Sequence, residues 1–428
     1  MNDRLNFRVA ARVGQRFYYG WVIVAVLLTS NLIALSSNST FGLFITPLER
    51  EFGWSRSQIA FAPAIGTVLG AILVPFIGFA VDRLGVRPLM VVAGLVAAVI
   101  YSLLGRLDAL WQFYLLFGLL FAVMVPATGQ MASNVSITRW FVRRRGRAMG
   151  MVMMGASGGG MIFVPVQTFL IESFGWRAGY LVMAAFPLLL ISIPVYFLMI
   201  GTPDQLGLAR HSELLPPGAG EGDGPQHSEP VWSLGEAART RTFWQTLFGV
   251  MLGTVVVSGY FTHAVPHMES LGFSRAVAAT TWTTFFTVGV GAKFLWGFIT
   301  EKTTVRWALV LLFLGEGVGL FLLLTAQSPR DLFVYAGVTG FCHGPFLQLI
   351  AQVWGDFFGR NSIGRIYGAV QPAVVLAGAA GPLLGGFLFD LFGNYGLFLR
   401  LLMGMAWFAA LVFALDTPPV KRGAPLGR

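Results

Sequence analysis

Lys293 is the residue whose chemistry is hardest to accommodate. It lies in Phe285-Phe286-Thr287-Val288-Gly289-Val290-Gly291-Ala292-Lys293-Phe294-Leu295-Trp296, a run with no other charge. A lysine at the centre of a bilayer costs about 2.5–3.5 kcal/mol on insertion scales, so something must offset it. Either the ammonium receives an anion, or its stem snorkels towards Glu301, roughly 12 Å further along a helix. Glu316, in Leu314-Gly315-Glu316-Gly317-Val318-Gly319, is a second ionisable group in an apolar run. Such a carboxylate is a candidate for proton relay; the alternative is a protonated glutamate bonded to a neighbour. His263 and His267 stand four apart, and His343 lies in another apolar run. Two histidines without a third ligand do not make a metal site. His263 is read as a possible substrate or proton contact and His267 as solvated. Polar pairs share helix faces: Asn31 with Asn38, Gln130 with Asn134, and Gln348 with Gln352. Each pair lines a cavity or bonds across helices, and His343 joins them as a cavity candidate.

The elements that hold these residues are membrane spans. Of 428 residues, 56% are hydrophobic and 11% charged, against about 25% charged in soluble domains. The net charge of +10 does not imply nucleic acid, because the basic residues cluster in short loops between apolar runs. One cysteine, Cys342, excludes an intramolecular disulfide. No cofactor motif, metal-ligand cluster or nucleophile elbow is present, which argues against an enzyme and against a cofactor.

Twelve spans are predicted near 18–45, 58–81, 86–105, 111–138, 146–171, 177–200, 243–266, 275–299, 305–325, 332–355, 363–389 and 394–416. The chain is duplicated. Gly146-Arg147-Ala148-Met149-Gly150 returns as Gly364-Arg365-Ile366-Tyr367-Gly368, and Phe174-Gly175 as Phe392-Gly393; 364−146 and 392−174 both give 218. Gly78-Phe79-Ala80-Val81-Asp82-Arg83 returns as Gly297-Phe298-Ile299-Thr300-Glu301-Lys302, and Phe52-Gly53-Trp54-Ser55-Arg56 as Leu271-Gly272-Phe273-Ser274-Arg275, at 297−78 = 219. Alternating the loops between two sides puts 21 of the 29 Lys and Arg on one side and six on the other. Both termini are therefore expected in the cytoplasm. The fold class is an all-α membrane protein of two pseudo-symmetric six-helix halves. Its expected division is a basic tail 1–17, a bundle 18–200, a linker 201–242, a second bundle 243–416 and a tail 417–428. The N-terminal arginines Arg4, Arg8, Arg12 and Arg16 suit anionic headgroups, and 232–240 suits a short amphipathic helix at the membrane surface.

This organisation resembles the major facilitator superfamily of secondary transporters. Gly78 to Arg87 is similar to that family's loop motif between helices 2 and 3, departing from it at Pro88; the copy at Gly297 is degenerate. Tyr19-Gly20-Trp21, Trp140-Phe141, Pro203-Asp204-Gln205-Leu206-Gly207-Leu208 and Arg241-Thr242-Phe243-Trp244 resemble the monocarboxylate and oxalate–formate branch. The resemblance implies a substrate site near the midplane between two rocking halves, lined by helices 1, 4, 7 and 10. It implies gate roles for Asp82, Arg83, Arg87, Arg139, Arg147, Glu301 and Arg365. Asp82 would pair with Arg139 or face the helix start at Gly364, and Glu301 the helix start at Gly146; the alternative is ordinary solvated loop charges. In the resembling branch a cation four residues before the motif glycine receives the substrate carboxylate. Here that glycine is Gly297 and the cation is Lys293, a point charge where a forked arginine is common.

The expected function is alternating-access transport of small organic anions across the cell membrane, by proton symport or anion exchange, in a monomer that binds no nucleic acid. A family exporter of a neutral solute or drug is one alternative. A non-transporting membrane sensor on the same scaffold is another.

Overall fold

The computed structural model describes residues 18–141, 145–201, 232–359, 363–417 and 419. The basic tail with Arg4 to Arg16, the stretch 202–231, Arg143, Arg144 and most of the C-terminal tail lie outside these residues. So do the side chains of Asp82, Gln130, Glu301 and Arg365.

All regular structure among the described residues is helical. The chain forms two compact units, residues 1–54 with 61–222, and 55–60 with 223–428. The first runs through α1 (Gly20–Thr40), α2 (Gly42–Phe52), α3 (Arg56–Leu84), α4 (Val86–Leu104), α5 (Leu110–Thr128), α6 (Gln130–Trp140) and α7 (Arg145–Phe174). It ends in α8 (Trp176–Met183), α9 (Ala185–Pro187), a π-turn at Leu188–Ser192 and α10 (Ile193–Leu198). The second holds the first turn of α3, α11 (Leu234–Ala238), α12 (Arg241–Ser270), α13 (Arg275–Lys302), α14 (Val305–Thr325) and α15 (Pro329–His343). It closes with α16 (Phe346–Phe358), α17 (Ile363–Phe392) and α18 (Gly396–Leu415).

Among the described residues, eleven helical stretches are long and apolar enough to cross a membrane. The twelfth expected span, α13, is 28 residues long, but Lys293 and a run of threonines lower its hydropathy. Thr280, Thr283, Thr284 and Thr287 each donate to the carbonyl four residues back at 2.7–2.9 Å. The hydroxyls are thus satisfied within the helix, as an apolar surround requires. The architecture is the all-α, twelve-span, two-half arrangement.

Four predicted spans are not single helices. The first breaks at Phe41, the fourth at Gly129, the sixth at the π-turn after Pro187 and the tenth at Gly344-Pro345. Apolar periodicity carries no mark of these breaks. Proline removes a backbone donor and glycine lowers helix preference, while neighbouring helices meet the freed groups.

The repeated sequence pieces acquire a physical reason at the helix ends. Gly53 and Gly272 adopt φ of +68° and +89°, and Gly175 and Gly393 φ of +83° and +69°. A side chain is strained there, so both copies keep glycine. The paired halves also reuse one helix contact: α1 lies along α7, and α12 along α17. A Cβ at Gly155 or Gly159 would come 2.4 or 2.5 Å from the carbonyl oxygens of Leu28 or Leu32. A Cβ at Gly381 would come 2.5 Å from that of Val255. These glycines bring backbones into contact where any side chain would hold them apart.

Two of the motif pieces meet in the first unit. Tyr18 and Trp21 pack edge-on against Phe141, with centroids 5.4 and 5.2 Å apart, and Tyr18 donates to the carbonyl of Trp140. The Trp140 indole N–H donates to Ile200 at 2.9 Å and Tyr19 donates to Leu198 at 2.9 Å. In the second unit Phe243 packs against Trp354 and Phe358, and buried Trp232 against Phe358. The short helix expected over 232–240 is α11, opened by Ser233, whose hydroxyl accepts the N–H of Glu236 at 3.2 Å.

The first turn of α3 is held by α17. Asp390 accepts the backbone N–H groups of Arg56 and Ser57, each at 3.1 Å. The Arg56 guanidinium lies 3.7 Å from the Phe389 centroid and donates to Tyr395 at 2.8 Å. A carboxylate on exposed helix N–H groups stabilises by about 1 kcal/mol. Asp390→Ala should lower the thermal unfolding midpoint in detergent, while Asp390→Asn, which keeps an acceptor, should recover part of the loss. Equal midpoints for all three proteins would remove this role.

Candidate functional site

The helix breaks organise the polar candidates of each unit. In the first, Gly129 separates α5 from α6, and Asn31 of α1 lies against the break. Asn31 is 0% exposed and donates to Leu27 at 2.9 Å and to the Ser133 hydroxyl at 2.8 Å. Ser133 in turn donates to the Gly129 carbonyl at 2.9 Å, so Asn31 braces the new helix start. Its Oδ1 is buried without a hydrogen-bond partner among the described residues. Asn38 is exposed two turns away, and Asn134 is exposed on α6.

In the second unit the break at Gly344-Pro345 falls between His343 and exposed Gln348. The repeat step maps the amides onto one another: 348−130 and 352−134 both give 218. Each broken span thus carries a pair of side-chain amides in its second piece. Interrupted spans at corresponding places of two repeats mark binding regions in secondary transporters. Spacing alone paired these residues within each half; their correspondence between halves needed the repeat step applied to them.

The densest chemistry lies inside the second unit, where α12, α13, α14 and α15 converge. Glu316 on α14 is 0% exposed. Its neighbouring glycines admit three close approaches: a Cβ at Gly315, Gly317 or Gly319 would fall 2.0–2.2 Å from Cys342 Sγ, Trp407 Nε1 or Thr339 Oγ1. The ring of His343, 19% exposed, brings Nδ1 to 3.5 Å from Glu316 Oε1. Phe261, Phe285, Phe346 and Tyr260 box that imidazole, with centroids 4.9 to 6.0 Å away. Both Glu316 oxygens and the hydroxyls of Tyr260, Tyr335 and Thr339 are buried without a hydrogen-bond partner among the described residues.

Lys293 is one turn beyond Gly289 on α13, where α13 and α15 approach through glycine. A Cβ at Gly340 would meet the Phe285 carbonyl at 2.4 Å, and one at Gly344 the Gly289 carbonyl at 2.7 Å. Lys293 is partly buried and follows Ala292, whose Cβ would lie 3.1 Å from a Cβ at Gly344, the residue after His343. Glutamate and histidine, distant in sequence, therefore meet, and the lysine lies on the helix packed beside the histidine. Tyr260, Tyr335 and Cys342 also face the pair and carried no sequence signal beyond apolar context.

Other candidates stand apart. His263 has both ring nitrogens engaged, Nδ1 with the Tyr395 hydroxyl at 3.1 Å and Nε2 with the Pro382 carbonyl at 2.8 Å. His267, expected to be solvated, is instead 4% exposed and packs on Tyr395, because α12 continues to Ser270 as a buried helix. Of the gate candidates, Arg87 donates to the Tyr196 carbonyl at 2.6 Å, Arg83 lies over Phe79, Arg139 is half-buried and Arg147 exposed. At the opposite end of the first unit, Glu51 accepts from the Trp176 indole at 2.6 Å and from Arg177. These donors, the indole first, hold its carboxyl below the usual range. No cluster of three metal-ligating side chains occurs among the described residues.

Two six-helix halves with interrupted spans, and ionisable groups buried inside one of them, are the build of a secondary transporter. The sequence profile of the Major Facilitator Superfamily matches residues 26–292 and 264–428, and the chain belongs to that family. It is a membrane transporter of the family and not an enzyme. Human monocarboxylate transporter 11 is 26% identical over 395 residues, covering 88% of this chain and 78% of its own. The oxalate:formate antiporter of Oxalobacter formigenes is 24% identical over 430 residues, covering 99% and 97%. Among solved structures, a D-xylose–proton symporter shares the fold with a TM-score of 0.73 at 16% identity, covering 94% and 98%. A bacterial homologue of the human lysosomal transporter Spinster gives 0.68 at 16% identity, covering 94% and 97%.

Proposed function

We propose that this protein moves small organic anions, mono- or dicarboxylates, across the cell membrane by alternating access, with both termini in the cytoplasm. The observation that carries this reading is Lys293, a partly buried cation on α13 beside the place where Gly344 of the α15–α16 break packs on Gly289 and Ala292. A carboxylate is the charge complement of an intramembrane cation. The relatives named for monocarboxylates and for oxalate and formate support the same class. In this reading Lys293 receives the carboxylate in the second unit, where Gln348 is a further substrate contact; in the first unit the candidate contacts are Asn38 and Asn134, with Gln130. Asn31 positions the helix break beside them. Asp82, Arg83, Arg87, Arg139, Arg147, Glu301 and Arg365 form the cytoplasmic gate, and residues 201–242 link the bundles 18–200 and 243–416.

The test is counterflow in proteoliposomes loaded in turn with unlabelled formate, lactate, pyruvate, oxalate and a neutral sugar. Labelled acid should enter against at least one matching carboxylate load and not against the sugar. Exchange of the sugar with none of the acids would overturn the carboxylate reading and favour a neutral solute.

A further inference from the structure

We infer that the first unit binds one ordered water molecule in its core, held by Ser37, Thr40, Tyr101 and Tyr180 beside the break between α1 and α2. The site is separate from the carboxylate site proposed above.

A cavity lies where α1, α4, α5 and α8 meet, with Phe41 and Phe44 of the break among its walls. Its volume is about 10 Å³, close to the roughly 10–15 Å³ that a single buried water requires. Ser37 and Thr40 come from α1, Tyr101 from α4 and Tyr180 from α8, and all four are 2–4% exposed. The ring of Tyr180 is fixed by Phe44, which stacks on it with centroids 4.0 Å apart. The lining described is hydroxyl and apolar, without a charged side chain, so the ligand that suits it is neutral and able both to donate and to accept.

The hydroxyl protons identify that ligand. Ser37 Oγ and the Tyr101 hydroxyl lie 2.6 Å apart, and the bond between them uses one of their two protons. The Tyr180 hydroxyl is buried without a hydrogen-bond partner among the described residues. Two protons are therefore left to place, and a buried hydroxyl left unbonded is costly. Thr40 donates to the Ser36 carbonyl at 2.9 Å, so its oxygen offers lone pairs only. One water matches this inventory: its two lone pairs take the two protons, and its own protons go to Thr40 Oγ1 and to a remaining hydroxyl lone pair. The break adds an acceptor, since the Phe41 N–H turns to the Asn38 carbonyl three residues back, at 3.4 Å, and leaves the Ser37 carbonyl that a continuous helix would use. The second half supplies a comparison. At the repeat steps, 256−37 and 320−101 give 219 and 398−180 gives 218, and these positions hold Val256, Leu320 and Phe398, all 0% exposed. The hydroxyl set is thus no requirement of the six-helix scaffold, whose other copy is apolar at the same places.

Two measurements on the full-length protein test the site. A density map of the wild type that resolves ordered water should show one peak within about 3.2 Å of the Tyr180 hydroxyl and of Ser37 Oγ or the Tyr101 hydroxyl. Thermal unfolding in detergent of Tyr180→Phe, Tyr101→Phe and the double variant supplies the second reading. With a bridging water, Tyr180→Phe should lower the midpoint by roughly 2–4 °C, as loss of one satisfied hydrogen bond does. The double variant should lose less than the sum of the two single losses, because both hydroxyls hold the same water. A cavity without density, or a Tyr180 hydroxyl bonded directly to protein, would overturn the inference. So would a Tyr180→Phe midpoint at or above that of wild type, the result expected for removing a hydroxyl that bonds nothing, or strictly additive losses in the double variant.

Discussion

Lys293→Gln should reduce carboxylate uptake by roughly 30-fold or more, at unchanged expression and monodispersity. Removing one partner of a buried charge pair costs about 2–5 kcal/mol, and the lower end of that range already corresponds to the stated loss. Lys293→Arg should keep part of the activity, since the charge remains while the forked guanidinium demands a different approach from the carboxylate. Initial rates for the three proteins, normalised to reconstituted protein, check this. Full uptake by the Gln variant would leave Lys293 a snorkelling residue, as its long stem on α13 would also permit.

The second large effect concerns packing. Gly159→Ala should destabilise the first unit by about 1–3 kcal/mol, the usual penalty for forcing atoms into a filled contact. The new Cβ would lie 2.5 Å from the Leu32 carbonyl oxygen and 3.3 Å from the Ser36 nitrogen, both backbone atoms. Only separation of α1 from α7 relieves that. Gly150→Ala on the same helix meets nothing within 4 Å and should be neutral. Thermal unfolding in detergent distinguishes the two, and equal midpoints would remove the close-contact argument. The same logic applies to Gly381 on α17, where the Val255 carbonyl oxygen lies 2.5 Å from the new Cβ.

The architecture was legible because a bilayer imposes length and hydropathy on every span, and because duplication left matched glycines at helix ends. Gly53 with Gly272, and Gly175 with Gly393, were visible as repeated Phe-Gly or Leu-Gly pieces before their positive φ gave the reason. Lys293 and Glu316 were legible as individual residues, since a charge in an apolar run stands out. Their separate relations to the His343 end of α15 were not. They depend on α13, α14 and α15 meeting through Gly289, Gly315, Gly319, Gly340 and Gly344, and the partners across those glycines lie beyond local spacing. The breaks at Gly129 and Gly344-Pro345 were hidden for a related reason. Membrane helices tolerate glycine and proline, so neither residue announces a break. His267 was misread because helix length past Pro266 was underestimated; α12 runs on to Ser270 and carries it inside.

The central claim is that a positive charge at position 293 receives the anion, and chemical rescue of that charge tests it most directly. In a Cys342→Ala background, Lys293→Cys protein would be reconstituted and treated with 2-aminoethyl methanethiosulfonate or with its neutral methyl analogue. The account predicts negligible carboxylate counterflow before treatment, recovery with the aminoethyl reagent, and none with the methyl reagent. Full counterflow by untreated Lys293→Cys protein, or equal recovery with both reagents, would contradict it.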